Sequence, residues 1–171
     1  MRLEVLGRRR YAGRRAGLRM PSASHEAGAY VMEAESTPYG SHRLSAVSAI
    51  GMSFPLHCSA NGKALLAALN EAQLERVKRH IDFTSHTVNT ITSWKKLAAE
   101  LDTIRREGIA YDREEHSAGI SAVAAVVRGP AGELAAISIP TPTQRFKGME
   151  ARLKNRLKAC CVEVQQMLGP S

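Results

Sequence analysis

Ile120-Ser121-Ala122-Val123-Ala124-Ala125-Val126-Val127 and Leu134-Ala135-Ala136-Ile137-Ser138-Ile139, joined by Arg128-Gly129-Pro130-Ala131-Gly132-Glu133, carry the clearest strand signal in the chain. Each flank is a short apolar run of strand length, and the join is rich in turn residues. A parallel crossover needs about a dozen residues or more, so a six-residue join predicts an antiparallel pair.

Upstream of the pair, Ile109 to Arg113 reads as a short strand. The segment Ser93 to Glu107 before it places Leu97, Leu101 and Ile104 on one side at helical spacing, with Gly108 as the terminator. Further upstream, Ser59 can cap a helix carrying Ala60, Ala64, Leu65, Ala67, Ala68 and Leu69, which Asn70 could end; a short helix from Glu71 to about His80 follows. Ala29 to Glu35 begins apolar and then alternates like a strand, reaching a turn at Thr37-Pro38-Tyr39-Gly40. A second strand at about His42 to Ser48 would complete a hairpin, before Gly51 and Pro55 interrupt the chain. After the last strand, Met149, Leu153, Leu157, Cys160 or Cys161, Val164 and Leu168 recur at three- and four-residue steps, a long helix closed by Gly169-Pro170. Strand pairs connected this tightly favour an α+β fold, one antiparallel sheet covered by helices, over a doubly wound parallel sheet.

The 171 residues suffice for one domain with a sizeable core. No apolar run is long enough for a membrane span, and the first residues lack the apolar core of a secretory signal, so a cytoplasmic protein with no membrane partner is expected. Three cysteines without a CxxC spacing indicate reduced thiols rather than disulfides or structural zinc. The net charge of +8 is concentrated: within residues 1–20, seven arginines stand against Glu4 alone. Residues 1–26 are therefore expected to be a basic, poorly ordered leader, and residues 27–171 the folded domain. Such a leader could bind nucleic acid electrostatically and without sequence preference, which is one functional alternative.

Several groups could carry chemistry. Gly62-Lys63 opens a helix, but the first glycine of a phosphate loop would fall at His57, and Ala64 stands where Ser or Thr should hold magnesium. The helix N-terminal amides near Ala60, Asn61 and Gly62 can still bind an anion such as a carboxylate; alternatively Gly62 only permits close packing and Lys63 is solvated. His57-Cys58 could be a base beside a thiolate, a second alternative in which the chain is a thiol enzyme, although a buried Cys58 packing as a small hydrophobe is the simpler expectation. Asp112, Glu114, Glu115 and His116 could hold a metal, but alternation along an extended strand would separate them, so neither metal nor cofactor is expected. Asp112 at a strand end and Ser138 within an apolar run are polar groups that need partners.

Gly51-Met52-Ser53-Phe54-Pro55-Leu56-His57-Cys58-Ser59-Ala60-Asn61-Gly62-Lys63-Ala64-Leu65-Leu66-Ala67 resembles the PLH…GKA…LA segment of IclR-type transcriptional regulators. Gly108 to Ile120 resembles that family's GYA-xD-xEE signature, in the same order. The resemblance implies a GAF-like effector-binding domain, non-enzymatic, that binds a small organic acid or related metabolite and assembles as a homodimer or homotetramer. It also implies that DNA is read only through a winged helix-turn-helix, which the residues before 27 do not resemble; nor do they match the family's first sheet strand. Ligand contacts implied by the family fall on Ala60 and Asn61 through their amides, on Asp112 and on Ser138, with Phe54 and Ile120 as apolar walls. Ala122 replaces a pocket Cys of some members and Pro140 a second Ser, which favours a larger or more apolar acid, such as an aromatic one, over a tiny keto acid.

Overall fold

A computed structural model describes residues 4–7, 29–33, 53–130 and 132–168 of the chain. The elements in order are β1 (Glu4–Gly7), β2 (Ala29–Glu33), β3 (Ser53–Phe54), α1 (Ala60–Ala68), α2 (Glu71–Lys78), α3 (Trp94–Glu107), β4 (Ala110–Arg113), β5 (Ile120–Arg128), β6 (Leu134–Pro142), α4 (Thr143–Phe146) and α5 (Glu150–Leu168). The described strands form one sheet in the order β3-β2-β1-β6-β5-β4, each neighbour antiparallel. The expected α+β architecture, an antiparallel sheet flanked by helices, is the one observed.

The β5–β6 hairpin has the expected form, with register from Ile120↔Pro142 to Arg128↔Leu134, so β6 continues three residues beyond the expected end at Ile139. Gly132 takes a positive φ of 79° in the turn, and the Gly129 N–H donates to the Glu133 carbonyl. On its other side β5 pairs with β4 through Ala110↔Ala124 and Asp112↔Ala122, which makes β4 the edge strand.

Two cores lie on opposite faces of the sheet, and alternation assigns residues to them. Ala110, Ala122, Ala124 and Ala136 face α1 and α3, whose contributions include Ala60, Ala64, Ala67, Leu97, Leu101 and Ile104. Ile109, Val123, Val127, Ile137 and Ile139 face the other way, against Phe146, Leu153 and Leu157. Small residues thus fill the α1 side, and alanines on both surfaces bring that helix close to the sheet. Bulky residues fill the α5 side, as close packing of a longer helix requires.

Several expectations need correction. Glu4–Gly7 lie in the sheet between β2 and β6, so the basic leader is not wholly outside the domain: the Val5-Leu6 segment pairs with Met32-Val31 on one side and with Ile137-Ala136 on the other. Asn70 does not end α1, which stops at a Leu69 cap; instead it caps α2, accepting from Gln73 N–H while the Gln73 side chain accepts from Asn70 N–H. α4 was not anticipated, and its Phe146 is buried. On α5, Leu153 and Leu157 are buried, Cys161 rather than Cys160 borders the core, and Leu168 is exposed. The turn at Thr37–Gly40, the strand at His42–Ser48, the break at Gly51, the stop at Gly169-Pro170 and most of the leader lie outside the described residues.

Candidate functional site

The entrance to α1 is built by its cap. The Ser59 hydroxyl accepts from Gly62 N–H at 3.1 Å and donates to the Pro55 carbonyl at 2.7 Å, fixing the incoming loop against the first turn. A Cβ on Gly62 would stand 2.5 Å from Leu56 Cα and 2.6 Å from its carbonyl oxygen, so glycine is required here for close approach of backbone. Intrahelical bonding begins with Lys63 N–H to the Ser59 carbonyl, which leaves the Ala60 and Asn61 amides ahead of the helical ladder. Asn61 is buried, and its Oδ1 is the buried side-chain polar atom among the described residues that has no hydrogen-bond partner.

Lys63 is not solvated. It is fully buried, donating to both Glu115 oxygens at 2.6 and 2.7 Å and to Glu100 at 3.4 Å. The pair joins the first turn of α1 to the loop after β4. That loop turns at Glu114, whose φ is 60°, so the alternation expected to separate Asp112 from Glu115 ends at Arg113. Asp112 Oδ1 accepts from Glu115 N–H at 2.7 Å and, more weakly, from His116 N–H at 3.5 Å. Asp112, Glu115 and Lys63 therefore lie together, on the α1 side of the sheet.

Burial pushes the Asp112 carboxyl up to about 7, with Glu115 adding to the rise against the opposing backbone N–H groups and Lys63. Burial also raises Glu115, outweighing its ion pair. The Cys58 thiol, fully buried, is pushed up to about 12 by burial and by the Asp112 and Glu115 carboxylates. It is thus a packed thiol, as expected from the sequence, and a poor nucleophile at neutral pH.

The sheet collects most of the remaining candidates. Asp112 and Ala122 are direct cross-strand partners, Ala122 is opposite Pro140, and Ser138 is opposite Ala124 and Glu4. By alternation Asp112, Ile120, Ala122 and Ser138 all lie on the α1-facing side. Phe54, half-buried, sets its ring 5.3 Å from that of His116, at the mouth of the same loop.

Reading by sequence missed the segment between α2 and α3. The Thr87 hydroxyl donates to the Glu114 carbonyl at 2.6 Å and the Thr90 hydroxyl to the Glu115 carbonyl at 2.7 Å, pinning this segment to the loop that carries Asp112 and Glu115. It also brings His86 to 6.0 Å from His57 and 5.5 Å from His116, centroid to centroid. The cluster is a product of folding: nothing local to Thr87, Thr90 or His86 marks it.

The antiparallel sheet carries a capped, glycine-dependent helix against its small-residue face, an architecture of the GAF-like α+β class. The chain belongs to the family described as bacterial transcriptional regulator IclR C-terminal, whose model matches residues 24–166. It is 54% identical over 118 residues to the HTH-type transcriptional regulator Rv1719 of Mycobacterium tuberculosis, covering 68% of this chain and 45% of that protein. The C-terminal domain of the Escherichia coli transcriptional regulator KdgR superposes with TM-score 0.71 at 24% identity, covering 99% of this chain and 88% of that one. An inducer-binding domain of the PobR transcription factor from Acinetobacter, a double mutant solved with 3-hydroxybenzoic acid, superposes with TM-score 0.74 at 20% identity over 96% of this chain and 87% of that one. The chain spans less than half the length of the mycobacterial relative. No helix among the described residues is long and apolar enough to cross a membrane.

Proposed function

We propose that residues 27–171, together with β1, sense a small organic acid in the space between the first turn of α1 and the small-residue face of β4, β5 and β6. The single observation that supports this most strongly is the unpartnered, buried Asn61 Oδ1, an acceptor that calls for a ligand hydroxyl or other donor, beside two amides that precede the helical ladder and can donate to an acid group. The Ala60 and Asn61 amides would receive the carboxylate at the positive end of the helix dipole. Asp112, poised near neutrality, would meet a hydroxyl or a second acid group, and Ser138 would orient the body of the ligand. Phe54, Ile120 and Ala122 would exclude water. The small Ala122 and the non-polar Pro140 leave this wall more apolar, in keeping with an aromatic acid, the class found in the PobR domain.

Binding would act on the arrangement of subunits in a homodimer or homotetramer through different affinities for two states. Operator reading would fall to a winged helix-turn-helix outside the matched stretch. The protein would work in the cytoplasm, without catalysis.

A thermal-shift screen of hydroxybenzoates, benzoate and short keto acids tests the site. A ligand present at a hundred times its Kd adds about 2.7 kcal/mol to stability. For a chain of this size that raises the Tm by roughly 5–10 °C. The shift should disappear or shrink severalfold in Asp112→Asn and Ser138→Ala. Hits that stabilise both variants as much as the native chain would place the ligand elsewhere.

A further inference from the structure

We infer that His57, Cys58 and His86 form a binding site for a borderline-soft divalent metal ion, with zinc the best match. Their ligand atoms all lie within 4.8 Å of one another. One thiolate and two imidazoles are a donor set that suits zinc, and three protein ligands with an open fourth position is a recognised zinc arrangement. Around a tetrahedral ion with bonds of about 2.0–2.3 Å such atoms stand roughly 3.5 Å apart. Closure by about 1 Å is therefore needed.

His86 can supply that movement. Its backbone is held, with its N–H donating to the Thr90 hydroxyl at 3.0 Å, but its imidazole is exposed and can swing about its side-chain torsions, whereas His57 and Cys58 are buried in the loop leading into α1. Exposure of His86 also gives the ion a route to the two buried donors.

The tautomer of His57 is already set for ligation. Its Nε2 lies 3.1 Å from the Thr84 carbonyl oxygen, which can only accept, so Nε2 carries the proton and the lone pair is on Nδ1. A metal-bound histidine ordinarily donates its second ring N–H to such an acceptor, which fixes the ring and raises its basicity. Binding forms Nδ1–metal, nitrogen–metal and Sγ–metal bonds, and the Cys58 thiol proton leaves to solvent. The ion would tie the segment bearing His86 to the entrance of α1. His116 is outside this donor set, with its ring 5.5 Å from that of His86.

Cobalt(II) titration of the chelator-stripped chain provides the test, because a cobalt–thiolate bond has a charge-transfer absorption that carboxylate or imidazole ligation lacks. We expect one equivalent of cobalt to bind with this band, and zinc to displace it. The band should persist in Cys160→Ser/Cys161→Ser, vanish in Cys58→Ser, and require at least about tenfold more cobalt in His86→Ala. His86 is exposed, so its removal should leave the far-ultraviolet circular dichroism of the metal-free chain unchanged. Absence of the band in the native chain overturns the site. So does its survival in Cys58→Ser, its loss in the Cys160/Cys161 variant, or undiminished affinity in His86→Ala.

Discussion

Glu115→Gln should be among the most destabilising near-isosteric substitutions this domain can suffer. Lys63 has no exposed surface, and Glu115 supplies its two short contacts; without that carboxylate, Glu100 at 3.4 Å is the hydrogen-bonding carboxylate left to the ammonium among the described residues, and Asp112 beside it is held near neutrality by burial. Breaking a buried ion pair from one side costs about 3–5 kcal/mol, because the remaining charge stays desolvated. A domain's whole stability is about 5–15 kcal/mol, so this is a large share of it. At this chain length the loss corresponds to a Tm lower by roughly 6–20 °C. Replacing both partners, as in Lys63→Met/Glu115→Met, removes the charges together and should be much milder than the sum of the single changes. Urea titrations followed by circular dichroism, read as midpoints at constant slope, measure the cycle. If Glu115→Gln loses less than about 1 kcal/mol, or the double variant loses as much as both singles added, then the pair is not what closes this end of α1.

Gly62→Ala should be nearly as damaging, since the new Cβ meets Leu56 backbone at 2.5 and 2.6 Å, where no flexible side chain can yield; a midpoint within 0.5 kcal/mol of native, about the scatter of neutral surface changes, would refute the close approach. Asp112 makes stability depend on pH with an inverted sign. Its carboxyl is held near 7 in the fold against an ordinary 3.8, so the folded chain binds the extra proton, and the contribution is complete below about pH 4 and lost as pH rises through 7. Asp112→Asn should flatten that part of the stability profile between pH 4 and 7, on the order of a few kcal/mol; parallel native and variant profiles would contradict the burial argument.

Features whose physics is local were legible in the sequence. The β5–β6 hairpin followed from six turn-rich residues, and α3 followed from Leu97, Leu101 and Ile104 with Gly108, whose φ of 71° completes the left-handed stop. Asp112, Ala122 and Ser138 were singled out from motifs, and register with alternation places them on one face. β1 escaped notice because four residues before a run of arginines carry little strand signal of their own; their place comes from pairing with β6, some 130 residues away. A solvated Lys63 was one of the two readings left open because lysines almost always are solvated, and its exception depends on a glutamate 52 positions later. Asn70 was misassigned because the same residue type suits a helix end and a helix start, and only Gln73 reaching back decides between them.

The unequal faces of the sheet explain why the polar groups gather where they do. Against α5, Val123, Val127, Ile137 and Ile139 meet Leu153 and Leu157, and close packing of bulky aliphatic groups has no place for an unmatched donor or acceptor. Against α1 the sheet presents alanines and the helix returns alanines, so backbone comes near backbone and polar atoms at the margins have short paths to partners. Lys63, Asp112 and Glu115 are buried at that margin, Ser138 is buried on the same face in mid-sheet, and the segment carrying Thr87 and Thr90 closes over part of the margin. A bulky substitution on this face, such as Ala122→Leu, would therefore act twice, pushing α1 from the sheet and filling the space allotted to the effector. Ala125→Leu on the opposite face should unfold the domain more easily while leaving any thermal-shift ligand its site. The two variants separate loss of stability from loss of sensing: if Ala122→Leu kept the native ligand shift, the small-residue face could not be the wall of the site.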